Sequence, residues 1–226
     1  MALILSLETS TNVCSVALHD QGKLIAHQLH EVEKSHSSLL PGIALEICSD
    51  AGLSMQDVDA IAVSEGPGSY TGLRIGLSTA KGFAYTLKLP LIGVATMDIL
   101  LEATRDKFSG EHMRCAMMDA RRMEVYTKMV DQDGEVVWDT QPKILDQDSF
   151  ADFEGRIYIF GNGMPKFQQI ASQENLLFID GIVPDAAHMG RLAFDRFTSK
   201  KFEDVAYFEP NYLKEWRTTT PKKKLV

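Results

Sequence analysis

Long apolar runs, paired cysteines, a surplus of positive charge and the common nucleotide and hydrolase motifs are all missing here. Each absence removes a class of protein. The first apolar run stops at Glu8 and has no basic flank, so it reads as neither a signal peptide nor a membrane span. Cys14, Cys48 and Cys115 lie far apart without metal-type spacing. Cys14 and Cys115 fall in strand-like apolar runs and read as small core residues. That usage fits a reducing compartment, and the expected location is the cytoplasm. With 23 Lys+Arg against 31 Asp+Glu the net charge is −8, which argues against broad attraction to a nucleic-acid backbone. Lys222-Lys223-Lys224, the single basic cluster, reads as a solvated tail. There is no Gly-x-x-x-x-Gly-Lys-Ser/Thr loop. There is no Gly-x-Ser-x-Gly elbow either, since Gly66-Pro67-Gly68-Ser69-Tyr70 has the wrong order. His27, His30, His36 and His188 form no metal set and read as surface histidines.

What the sequence does have is an organising stretch at 64–84. An apolar run over 58–63 predicts a buried strand. The turn Gly66-Pro67-Gly68-Ser69 follows, and then a helix of small residues from Thr71 to Leu87. A strand, a Gly-rich turn and a helix N-terminus make an anion-friendly corner, because free N–H groups point outward there. Each glycine inside a helix costs about 1 kcal/mol relative to Ala, so close approach of a ligand or another backbone is expected at Gly72 and Gly76.

The rest of the chain repeats one plan. Strands over 3–7, 13–18 and 24–29 are joined by the polar turn Glu8–Asn12 and by Asp20-Gln21-Gly22-Lys23. Strands over 115–118, 125–130 and 135–138 are joined by a turn at Asp119 and by Asp131-Gln132-Asp133-Gly134. Each half adds further strands and helices. A helix from 35–38 to Ala51 carries Leu39, Leu40, Ile43 and Ile47 on one face, with Pro41 tolerable in its first turn. Others are expected at 96–105, 146–153, 164–172 and from Asp185 to about 199. This weak internal repeat predicts an α/β fold of two subdomains, 1–106 and 107–226, each a mixed sheet with flanking helices.

Two acid-ended turns suggest a phosphate-and-metal cleft between the halves. Glu8 and Asp119 would face each other, with Thr9 and Ser10 offering hydroxyls and N–H groups to a phosphate. The competing view, favoured on spacing alone, is that these acids end strands and cap turns. The helix faces are the other candidate. Leu39, Leu40, Ile43 and Ile47 form one stripe, and Gly72, Leu73, Gly76, Leu77 and Ala80 form a flat surface. Either covers the sheet, but the second helix is apolar or small nearly all round, which favours burial on two sides.

These residues resemble a known family. Glu8-Thr9-Ser10, the run His36-Ser-Ser-Leu-Leu-Pro41 and Gly66-Pro-Gly-Ser-Tyr-Thr-Gly-Leu-Arg-Ile-Gly76 resemble the TsaB (YeaZ) family. So do the segment from Asp119 to Tyr126 and the tail Glu209-Pro-Asn-Tyr-Leu213. The likeness covers essentially the whole chain. It implies the duplicated actin-like ATPase fold (ASKHA; the sugar kinase/Hsp70 type). It also implies a role in forming N6-threonylcarbamoyladenosine at position 37 of tRNAs that read ANN codons. In that family the chain does not carry the chemistry. It pairs as a heterodimer with the catalytic paralogue TsaD and works with the ATPase TsaE. The helices starting near Ser38 and Thr71 form the contact, and a homodimer can replace it when the partner is absent. No cofactor or metal of its own is implied, ATP would sit at interfaces of the assembled complex, and tRNA is met only through that complex.

The departures from the catalytic paralogue carry this expectation. Where TsaD-like proteins have a metal-binding His-x-x-x-His pair, the matching positions here are Thr96 and Leu100. Neither replaces an imidazole. Where they have a Ser-Gly-Gly-His phosphate loop, this chain reads Met118-Asp119-Ala120-Arg121, without the paired glycines that let a backbone approach phosphate. Asp185 matches their remaining metal aspartate but reads here as a cap. Glu8, Thr9, Ser10 and Asp119 are thus vestigial candidates, with no catalytic residue expected. The opposing reading is an active ATPase or kinase with Glu8 and Asp119 on Mg²⁺, or an M22-type metallopeptidase of the same fold. A direct tRNA binder has only the terminal lysines behind it.

Overall fold

A computed structural model describes residues 2–31 and 36–214, without the side chains of 36–38. The histidine–serine cluster around His36 and the Lys222–Lys224 tail therefore lie outside the described side chains.

Two five-stranded sheets form the frame. In the first, β1 (Leu3–Glu8) pairs antiparallel with β2 (Val13–Asp20), and β2 with β3 (Lys23–Glu31). On its other side β1 runs parallel to β4 (Ala60–Gly66), which runs parallel to β5 (Leu91–Ala95). The second sheet holds β6 (His112–Asp119), β7 (Glu124–Val130), β8 (Val136–Ile144), β9 (Arg156–Phe160) and β10 (Leu176–Ile179). Its order is β8-β7-β6-β9-β10, against β3-β2-β1-β4-β5 in the first, and the parallel and antiparallel joins match one for one. The weak sequence repeat is therefore a duplicated topology.

Alternation along the strands decides which helices cover which face. Leu3, Leu5, Leu7, Val16, Leu18, Ile61 and Val63 point to one side of the first sheet. There they meet α1 (His36–Asp50) and α2 (Tyr70–Leu87). Ile4, Ala17, Ala60, Ala62, Ile92 and Val94 point to the other side, toward α3 (Thr96–Glu102) and α5 (Gly190–Thr198). The second sheet buries Cys115, Met117, Val125 and Ile159 with Phe150 and with Met164 and Phe167 of α4 (Met164–Gln168). Its opposite face meets Met97, Leu100 and Leu101 of α3. Helix α3 thus buries five of its seven residues, because a sheet lies on either side of it.

Several boundaries differ from expectation. The division at 106/107 separates the two sheets but not the two bodies, since α5 and the tail after it return to the first sheet. The 146–153 segment is a run of turns. Ser149 donates to Asp146 Oδ1 at 2.7 Å and accepts from the Asp146 N–H at 2.9 Å, local bonds that compete with a helix. Helix α1 runs through Pro41, which lies well inside it. Gly52 closes α1 with φ +71°, the left-handed stop that glycine suits.

Candidate functional site

The carboxyl ends of β1 and β4 meet the N-terminus of α2, and the chain fills this corner itself. Ser69 caps α2, its Oγ accepting from the Gly72 N–H at 3.3 Å. The Ser69 N–H donates to the Ser10 carbonyl at 2.6 Å. Thr9 Oγ1 donates to the Gly72 carbonyl at 2.8 Å, and the Thr9 N–H reaches Ser64 Oγ at 3.4 Å. A methyl group on Gly72 would run into the Thr9 carbonyl, and one on Gly76 into Thr9 Oγ1. The close approach that these glycines require is therefore made by the β1–β2 turn of the same chain. It is not made by a second subunit, and the anion-friendly corner is not open to a phosphate.

Glu8 sits beneath this turn and is fully buried. Its Oε1 accepts from the Ser10 N–H at 2.5 Å, while Oε2 has no partner. Burial pushes the carboxyl up to about 7, and the Ser10 and Ser64 groups beside it pull back only in part. Asp119 is in a different setting. It accepts from Lys166 Nζ and from the Arg121 N–H, both at 2.7 Å, with about half of its side chain exposed. Its partial burial would raise the carboxyl, but Lys166 and the Arg121 N–H outweigh this and hold it below the usual range. The two acids share no partner. One is sealed in the interior, where burial favours its neutral form, and the other neutralises a lysine, so these residues do not fit a nucleotide-bound magnesium ion. Among the described residues no cluster of three or more His, Cys, Asp or Glu side chains could hold a metal.

The other marked positions are equally committed. Thr96 is buried with an unpartnered Oγ1, and Leu100 lies in the apolar layer with Met118 and Phe160. Asp185 accepts from the Ala187 N–H at 3.0 Å, capping a short 3-10 turn, and pairs with His27 Nε2 at 2.7 Å.

The helix faces require a correction. Leu40, Ile43, Ile47, Gly72, Leu73, Gly76, Leu77 and Ala80 are all buried against the first sheet or the β1–β2 turn. They cannot offer surface to another protein. The periodic stripe was legible, but which side it faces was not. Leu39 alone of that set is exposed, at 41%. The outer face instead shows Leu45, Tyr70, Arg74, Ser78, Gly82 and Tyr85, with Tyr85 at 80% exposure. Arg74 lies over the Tyr70 ring at 4.1 Å and donates to the Tyr212 hydroxyl at 3.2 Å, which pins the tail to α2. A groove of about 460 Å³ runs between the helices, lined by Pro41, Leu45, Met55, Gly82, Phe83 and Leu87. A second of about 580 Å³ adjoins it at Thr79 and includes Tyr70, Arg74 and Ser78. These positions are what remains once the apolar stripe is turned inward, and that remainder was the signal available in the sequence.

The family model for TsaD, tRNA N6-adenosine threonylcarbamoyltransferase, matches residues 26–214. The tRNA threonylcarbamoyladenosine biosynthesis protein TsaB of Escherichia coli (strain K12) is 30% identical, over 93% of this chain and 94% of that protein. Its namesake in Bacillus subtilis (strain 168) is 30% identical over 93% of each chain. The solved structure of YeaZ from Pseudomonas aeruginosa superposes with a TM-score of 0.80 at 28% identity, covering 94% of this chain and all of that one. With its two sheets of one topology, the chain has the duplicated actin-like ATPase fold and belongs to the TsaB (YeaZ) family of tRNA threonylcarbamoyladenosine biosynthesis proteins.

Proposed function

We propose that this chain is the non-catalytic, activating subunit of the assembly that forms N6-threonylcarbamoyladenosine at position 37 of ANN-decoding tRNAs. The observation that carries this reading is the self-filled corner: Thr9 occupies the glycine face of α2, and Glu8 lies fully buried under it. A turn that binds its own helix has no room for the phosphates that the fold holds in its active members. ATP used by the assembly then lies elsewhere, at interfaces with its partners. Those partners are a TsaD-like paralogue, which transfers the group, and a TsaE-like ATPase. The outer face of α1 and α2, with Leu39, Leu45, Tyr70, Arg74 and Tyr85, is the surface offered to the paralogue, or to a second copy of this chain when the paralogue is missing. The setting is the cytoplasm. Among the described residues no helix is long and apolar enough to cross a membrane.

Reconstitution tests the reading. Modification of an ANN-decoding tRNA should require this chain together with its paralogue and the ATPase, and should survive Glu8→Gln. Leu45→Glu combined with Tyr85→Glu should abolish the mixed-complex peak in size-exclusion chromatography while the isolated chain keeps its thermal transition. ATP turnover by the chain alone that disappears in Glu8→Gln would overturn the non-catalytic assignment.

A further inference from the structure

The function just proposed leaves one sequence motif unused: the tail segment Glu209-Pro-Asn-Tyr-Leu213. Residues 204–212 form neither helix nor strand, yet the chain holds them along their length. Two glycines of the first sheet make room for them. A methyl group on Gly93 would run into the Phe208 ring, and one on Gly66, whose φ is +111°, into the Asn211 carbonyl. The Asn211 N–H donates to the Glu65 carbonyl at 2.7 Å. Helix α2 grips the tail at two further points. Lys81 Nζ donates to the Ala206 carbonyl at 3.1 Å, and Arg74 Nε donates to the Tyr212 hydroxyl at 3.2 Å. The Tyr212 and Tyr70 rings lie with centroids 5.0 Å apart. Arg74 and Lys81 are the two charged residues of α2, and both are bonded to the tail.

Arg74 is the side chain that this clamp orders. Its guanidinium lies over the Tyr70 ring at 4.1 Å, which covers one flat side, and its Nε is taken by Tyr212. The donors on Nη1 and Nη2 have no hydrogen-bond or ion-pair partner among the described residues. Glu209 acts on the guanidinium through space without pairing with it. Arg74 is exposed on the outer face of α2, beside Tyr70 and Tyr212, which are 42% and 37% exposed. An arginine set among tyrosines is the composition that concentrates binding energy in protein interfaces. A long side chain ordinarily loses rotamer freedom when a partner fixes it, and that loss opposes binding. Here Tyr70 and Tyr212 have already fixed it. The remaining donors form a planar fork that matches an acceptor with two oxygens. On a protein surface that acceptor is a carboxylate.

We propose that Arg74 is an anchor of the docking face that receives an Asp or Glu carboxylate of the paralogue, and that Tyr212 is the positioning residue that holds it for this contact. The proposal rests on the function given above, in which the outer face of α1 and α2 meets the paralogue. It makes the tail a part of that face. The segment from Ala206 to Tyr212 lies against α2 to set the direction of one guanidinium, and Gly66 and Gly93 leave the space that this path requires.

The test measures the affinity of the full chain for the paralogue by titration calorimetry, without ATP and with it. Arg74→Ala should weaken binding on the order of thirtyfold, as truncation of an interface anchor does. Arg74→Lys keeps the charge but not the fork, and should recover only a small part of that loss. Both variants should keep the thermal transition of the isolated chain, because the side chain is exposed. Tyr212→Ala should weaken binding several-fold in the natural chain and leave it unchanged in the Arg74→Ala chain, since Tyr212 acts through Arg74. Tyr212→Phe keeps the ring against Tyr70 and should fall between the natural chain and Tyr212→Ala. Undiminished affinity in Arg74→Ala would overturn the proposal, and so would losses at Arg74 and Tyr212 that simply add. A loss seen only with ATP present would overturn it too, by showing that the fork takes a phosphate. Failure of the docking-face reading itself looks different, as a mixed complex that survives Leu45→Glu combined with Tyr85→Glu.

Discussion

Glu8 shows how one side chain changes meaning with its surroundings. In the sequence it is an acid at a strand end, equally suited to hold a cation or to cap a turn. In the structure it is a buried carboxyl with one oxygen unpartnered and a pKa pushed up to about 7 by burial. The folded state keeps this proton up to about pH 7, whereas the unfolded chain releases it near 4.5. Between those values the folded state binds the extra proton, so raising the pH through that window favours unfolding. The contribution is fully present below pH 4.5 and is lost above 7, on the order of 3 kcal/mol across the window. Glu8→Gln should therefore flatten the pH dependence of stability between pH 4.5 and 7, read from urea midpoints. An undiminished decline in the variant would mean that another group is responsible. Arg74 makes the complementary case. Its bond to Tyr212 is invisible in the sequence, where the two residues stand 138 positions apart.

At the scale of elements, α2 is where expectation and structure part most instructively. The cost of its glycines predicts something pressed against the helix, and something is: Thr9, from the chain's own first turn. Gly76→Ala should therefore destabilise the isolated chain by about 2 kcal/mol or more, since the β1–β2 turn must move to admit a methyl group. Gly82 is the control on the same helix, exposed and facing open space. Gly82→Ala should stabilise the isolated chain by roughly 1 kcal/mol. Chemical denaturation of the two variants separates the cases, and equal effects would refute the packing account. Helix α1 teaches the same lesson. Its stripe of Leu40, Ile43 and Ile47 is correctly periodic, yet periodicity alone does not say whether a stripe meets the chain's own sheet or another protein. That choice belongs to the β-strands lying beneath it.

At the scale of the molecule, α3 joins the two halves. Leu100 and Leu101 pack on the second sheet and Ile99 on the first. Asp98 pairs with Lys128 of β7 at 2.6 Å, and Glu102 pairs with Arg191 of α5 through bonds of 2.7 and 2.6 Å. Arg114 Nη1 of β6 donates to the Leu101 carbonyl at 3.1 Å, near the C-terminal end of α3. Truncating Leu100 to Ala should cost about 2 to 5 kcal/mol. Both halves should still unfold in one transition, because the helix belongs to both cores. Two separated transitions in calorimetry would contradict that. The sequence by itself determined the duplicated plan and the small-residue helix, because alternation and turn chemistry are local properties. Only the tertiary structure decided that Thr9 fills the glycine face, that Glu8 is buried while Asp119 pairs with Lys166, and which residues of α1 and α2 remain outside. It alone brought Tyr212 to Arg74. Each of these depends on residues distant in the chain, and the energy of burial or pairing arises only when folding brings them into contact.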